Sequence, residues 1–188
     1  IQRWSHGDYQ IQQYFGLMTQ VHLSLYKGEF ERALEHVADA WVPLRRAMID
    51  QIHFVKSDLL SLRVRASLAA LTTSKRVPEL SERIVRDLGR LKDNPAPWVR
   101  AQGILFQACL DEYMGDADRA KAGFLKSIDA LEQADLGGYL ASAKIRYGSV
   151  LKGDEGQYWL ESGIEQFKQN GVRKPRLMAR LYAPGYRD

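Results

Sequence analysis

Apolar residues recur at steps of three and four positions along almost the whole chain, and strict alternation of apolar and polar residues is rare. The first such stripe consists of Ile11, Tyr14, Met18, Val21 and Leu25. This spacing places side chains on one face of an α-helix, so the pattern predicts an all-α fold. It divides into eight long helical segments and a short ninth, and helices joined by short connections pack as antiparallel neighbours.

The turn signals group these segments into four antiparallel helix pairs. The pairs are expected at about residues 9–47, 49–93, 97–135 and 138–171. A last segment, from Lys174 to Tyr182, carries apolar residues on one side and arginines on the other. The sequence therefore predicts one repeat domain over residues 1–172, followed by a basic capping helix and tail over residues 173–188.

Two turns, 87 residues apart, share a motif. Tyr26 to Ala33 and Tyr113 to Ala120 both contain tyrosine, glycine, two acids, arginine and alanine at the same offsets. Gly28 and Gly115 can reverse the chain after one helix, and Ala33 and Ala120 let the next helix approach closely. The separation corresponds to two repeat units of about 43 residues, which is typical of stacked helix pairs.

The motif resembles the turn of the tetratricopeptide repeat. Gly28-Glu29-Phe30-Glu31-Arg32-Ala33-Leu34 is close to that turn, and Gly115, Ala120 and Phe124 form a second match. The resemblance implies a right-handed superhelix of about four antiparallel helix pairs, closed by a C-terminal capping helix. Three features depart from the family pattern: the units exceed its usual ~34 residues, only two of the four units carry the turn motif, and the terminal proline is missing.

A second resemblance covers both ends of the chain. Arg3-Trp4-Ser5-His6-Gly7 near the start, and Gly171 to Pro175 followed by Ala183-Pro184-Gly185-Tyr186 near the end, are similar to the repeat tail of multidomain bacterial serine/threonine protein kinases. In such kinases the tail follows the catalytic domain. The resemblance implies a C-terminal regulatory or substrate-recruiting region, and the chain itself has no kinase catalytic or phosphate-loop motif.

The net charge of +4 belongs to the end of the chain. Residues 1–172 hold equal numbers of acidic and basic side chains, whereas the last sixteen residues are basic. Candidate contacts to an acidic or phosphorylated partner are therefore Arg173, Lys174, Arg176 and Arg180. The alternative is that Leu177, Met178, Leu181 and Tyr182 dock this helix as a cap and that its charges only keep it soluble.

The neutral body argues against a nucleic-acid interface. Its four tryptophans are too scattered for a base-stacking platform, and Trp41 lies on a core stripe. Charges on the fourth helical segment alternate in sign at four-residue steps, as in Glu82 with Arg86 and Arg83 with Asp87. Such pairs are typical of a solvated helix face, so no binding site is predicted there.

No residue set in the sequence indicates catalysis, a metal or a cofactor. Cys109 is the single cysteine and lies on an apolar stripe, which favours a buried filler over a nucleophile. The four histidines lack the spacing of a helical metal site, and His22 lies beside a core stripe. The single thiol and the absence of a long apolar run predict a cytoplasmic protein without a membrane span.

These observations predict a non-catalytic protein–protein interaction module. Its partner would be a protein or peptide lying along a surface formed mainly by the first helix of each pair. Two alternatives remain: a helical domain that senses a small ligand, and a scaffold that self-associates into a homo-oligomer.

Overall fold

The computed structural model describes residues 10–185, and in this range the chain forms nine α-helices, one 3₁₀ turn and no strand. The prediction of an all-α fold is confirmed for this part of the chain. The helices are α1 (Ile11–Lys27), α2 (Phe30–Arg46), α3 (His53–Ala70), α4 (Val77–Lys92), α5 (Pro97–Tyr113), α6 (Ala117–Gln133), α7 (Gly137–Leu151), α8 (Gly153–Gln169) and α9 (Pro175–Tyr182). The 3₁₀ turn, Ile49–Gln51, lies between α2 and α3.

Residues with special backbone properties mark the helix ends. Gly28 ends α1 in the left-handed conformation at φ 79°, which glycine adopts without steric cost. Asp116 begins α6, and its carboxylate accepts a hydrogen bond from the backbone N–H of Arg119 at 3.1 Å. Pro97 and Pro175 occupy the first turns of α5 and α9, where a missing N–H costs nothing.

Each helix from α1 to α9 packs against the next one in the chain. A continuous core of leucine, alanine, valine and aromatic side chains runs from Tyr14 in α1 to Tyr147 in α7. The third helix is the most enclosed, because it contacts α1, α2, α4, α5 and α9. No helix within residues 10–185 is both long and apolar enough to cross a membrane.

The last helix, α9, contacts helices from both ends of the array. It packs against α7 and α8, and it also contacts α1 and α3 at the other end of the chain. Ala179 and Leu181 are buried in this contact, and the backbone continues through buried Ala183, Pro184 and Gly185. The segment of α9 therefore contacts three of the helices, α1, α3 and α7, along which a partner peptide was expected to lie.

Part of the resemblance to kinase tails lies outside the described residues. This applies to Arg3-Trp4-Ser5-His6-Gly7 and to Tyr186, and the limits predicted for the domain and the tail extend into the same regions. The Gly171 to Pro175 segment is described and connects α8 to α9.

Candidate functional site

The predicted repeat-turn residues lie at two helix junctions. Gly28 and Gly115 both have positive φ, at 79° and 86°, and each ends the first helix of a pair. Ala33, Ala120 and Phe124 are fully buried on the second helices of these pairs. The two glycines lie at the surface and reverse the chain, whereas the three buried side chains pack between the paired helices.

The predicted tail cations lie on the solvent side of the last segment. Arg173 and Lys174 are exposed in the connection before α9, and Arg176 is exposed in its first turn. Arg180 is half-buried. Their use in partner binding remains a prediction.

Cys109 and His22, which the sequence places on or beside apolar stripes, are shielded from solvent to different degrees. Cys109 is fully buried, and this burial raises the pKa of its thiol to about 12, so the thiol is protonated at neutral pH. His22 is half-buried beside Arg65; burial first, and repulsion by Arg65 second, lower its pKa to about 3. Within residues 10–185 there is no group of three or more histidine, cysteine or acidic side chains that could hold a metal.

An open groove lies between α2, α3 and α4. Its volume is about 910 Å³, within the range of protein ligand sites. Its positively charged lining residues are Arg45, Lys56, Arg63, Arg86 and Arg90. The acidic lining residues are Asp50 and Asp93, near the end of the groove where α3 begins and α4 ends. The groove is therefore basic although residues 1–172 are neutral in sum.

Arg63 lies at the end of this groove that is opposite to Asp50 and Asp93, and two neighbours hold its side chain in place. Its Nε and Nη2 atoms donate hydrogen bonds to the two carboxylate oxygens of Asp87, both at 2.7 Å. The guanidinium lies 3.7 Å from the ring centroid of Trp41, so it is stacked on the indole as well as paired. Burial lowers the pKa of Arg63 and the Asp87 carboxylate opposes that shift. A guanidinium held from two sides pays little conformational entropy when it binds an anion.

The groove depends on a pairing that the sequence pattern did not predict. Arg83 was expected to pair with Asp87 on an exposed face, but Asp87 is fully buried and binds Arg63 of α3 instead. Between residues 10 and 185, no ion pair joins Glu82 to Arg86. One feature of the sequence could have indicated that Asp87 is buried. It lies three residues after Ile84 and next to Leu88, on the apolar stripe of its helix.

A second polar cluster fastens the end of the chain to α3 and α7. Arg146, 1% exposed, donates to the carbonyl of Ala183 at 2.7 Å and also binds the Glu112 carboxylate. Arg65, equally buried, donates to the carbonyl of Leu181 at 3.2 Å. These guanidiniums bind backbone carbonyls at and beyond the end of α9, where no further helical turn supplies N–H donors for them. No pattern in the sequence indicated either contact.

The chain was compared with models of protein families, with curated proteins and with solved structures, and none of the three comparisons gave a match. The fold defines an all-helical protein of consecutively packed helices. An open, basic groove lies between α2, α3 and α4 of this array.

Proposed function

We propose that this chain is a non-catalytic protein–protein interaction module built as a right-handed, tetratricopeptide-like superhelix. The observation that carries the proposal is the groove of about 910 Å³ between three consecutive helices, with the preorganised Arg63 in its lining. Inter-helix grooves of this kind accept extended segments of partner proteins. The repeat-like turns at Gly28 and Gly115 support the superhelical arrangement.

The partner site in this proposal differs from the one expected for a stack of helix pairs. The first helices of three pairs contact α9, whereas the groove opens between the second helices α2 and α4, with α3 as its floor. Leu59 and Leu60 provide apolar contact on this floor, and the arginines provide polar contact around it. Such a mixture is typical of peptide-binding surfaces.

The resemblance to kinase tails supports a more specific role. In this role the chain is the C-terminal region of a bacterial serine/threonine protein kinase and recruits substrates or regulators to the catalytic domain in the cytoplasm. The reading frame upstream of Ile1 tests it. A kinase domain encoded there supports recruitment, and an upstream region without any effector domain overturns it while leaving the interaction module intact.

Selection of random peptides displayed on phage against the purified chain tests the module itself. We expect enriched peptides that shift the indole N–H resonance of Trp41, which lines the groove, and leave that of Trp159 in α8 unchanged. Substituting each tryptophan by phenylalanine assigns the two signals. If no peptide is enriched, or if enriched peptides shift only Trp159, the groove is not the partner site.

A further inference from the structure

The cations of the groove lie in register on two antiparallel helices. Arg63 meets Asp87, and Ser57 Oγ accepts a hydrogen bond from Asn94 Nδ2 at 3.1 Å, so α3 and α4 run in opposite directions along the groove. Lys56 and Arg63 are two turns apart on α3, and Arg86 and Arg90 are one turn apart on α4. Side chains at these spacings lie on one face of each helix, and all four of them line the groove.

The ion pairs already present leave an excess of positive charge. Arg45 lies 3.9 Å from Asp50, and Arg63 is paired with Asp87. Arg90 also lies 3.9 Å from the Asp87 carboxylate, which Arg63 already binds. The five cations of the groove therefore face three carboxylates, those of Asp50, Asp87 and Asp93. The uncompensated charge is thus equivalent to two cations, which is close to the charge of about −1.5 to −2 on a phosphorylated side chain at pH 7.

Arg63 adds a directional element to this charge. Asp87 engages two of its five N–H donors, and the other three make no hydrogen bond to any residue between 10 and 185. The Trp41 ring and the Asp87 carboxylate together fix the plane of the guanidinium. A planar donor group with a fixed orientation matches two oxygens of one phosphoryl group.

We propose, on the basis of the interaction function above, that the groove binds a phosphorylated segment of a partner protein, with the phosphoryl group against Arg63, Arg86 and Arg90. The floor formed by residues 53–63 of α3 is about 15 Å long, since each helical residue rises ~1.5 Å. An extended peptide covers this length with about four or five residues. The site is therefore matched to one phosphorylated residue and its immediate neighbours.

The acidic end of the groove disfavours a nucleic acid. A polynucleotide carries one phosphate per nucleotide and would bring further phosphates past Asp50 and Asp93. A peptide with a single phosphorylated residue places its charge beside the arginines, and its neighbouring residues can pair with these two acids.

Fluorescence anisotropy with four labelled probes tests the proposal. Three are nonapeptide libraries with degenerate flanks and a central phosphoserine, serine or glutamate, and the fourth is a single-stranded DNA of twenty nucleotides. The groove variant carries Arg86→Glu and Arg90→Glu, both at exposed positions. The control variant carries Lys126→Glu and Lys168→Glu, which change the net charge equally at exposed positions of α6 and α8, outside the groove. Thermal unfolding establishes that both variants are folded.

The phosphoserine library is expected to bind the wild type at least tenfold more tightly than the serine and glutamate libraries. The groove variant should lose at least tenfold in this affinity, and the control variant should keep it. Equal loss in both variants, or tighter binding of DNA than of the phosphoserine library, overturns the proposal. Equal binding of all peptide libraries overturns it and leaves the interaction module standing, whereas no binding of any peptide overturns both.

Discussion

The substitution Gly163→Ala adds one methyl group to α8. Close helix packing predicts that this change lowers stability, whereas helix propensity alone predicts that it raises stability. Gly163 lies in the interior of α8, where glycine is normally unfavourable and alanine is preferred by about 1 kcal/mol. A Cβ atom at this position would lie 2.5 Å from the carbonyl oxygen of Ala141 and 2.8 Å from Cγ1 of Ile145, both on α7. Gly163 therefore permits a contact between two helix backbones that no other residue allows.

The cost of Gly163→Ala can be worked out from these distances. Ordinary van der Waals contacts begin near 3.4 Å, so α7 and α8 must separate by nearly 1 Å. Overpacking of a rigid contact costs about 3 kcal/mol at the upper end of the measured range, because backbone and not a flexible side chain has to move. Subtracting about 1 kcal/mol for better helix propensity leaves a net loss of roughly 2 kcal/mol in the free energy of unfolding.

Gly89→Ala is the matched control. Gly89 also lies in a helix, α4, but a Cβ atom there would meet no atom within 4 Å. Thermal unfolding followed by circular dichroism should give a Tm about 2–4 °C higher for Gly89→Ala and about 4–8 °C lower for Gly163→Ala. If both variants gain stability, α7 and α8 are not packed as closely as the structure indicates.

Two further predictions concern His22 and Arg146. The pKa of His22 is about 3 in the folded chain and about 6.5 in the unfolded chain, so only the unfolded chain gains a proton between these pH values. The free energy of unfolding therefore falls as the pH drops below 6.5, by about 2 kcal/mol at pH 5. In urea titrations at pH 7 and 5, His22→Gln should abolish most of this loss; an unchanged pH dependence would assign it to other groups. Arg146→Met should weaken the docking of residues 175–185 by about 2–3 kcal/mol, because the carbonyl of Ala183 and the Glu112 carboxylate lose their partner. Hydrogen exchange of these amides should then accelerate roughly 30- to 150-fold, and exchange at the wild-type rate would contradict the role of Arg146.

The helical class of this protein could be predicted because helix periodicity is local. Each stripe of apolar residues identifies one buried face without reference to the rest of the chain, and short connections require neighbouring helices to pack. The groove could not be predicted in the same way. Arg63 and Asp87 are 24 residues apart, and the four-residue spacing of charges on α4 favoured a local pair, Arg83 with Asp87, over this distant one.

The sequence by itself determined that the chain is all-helical, that consecutive helices pack together, and that glycine ends the first helix of two pairs. Tertiary structure decided where charge accumulates and which face stays open. A neutral sum over residues 1–172 becomes a basic groove because Asp87 is buried against Arg63 while Arg86 and Arg90 face the groove. Residues 175–185 pack against α1, α3 and α7, and Arg65 and Arg146 bind backbone carbonyls of this segment; such contacts leave no pattern in the sequence.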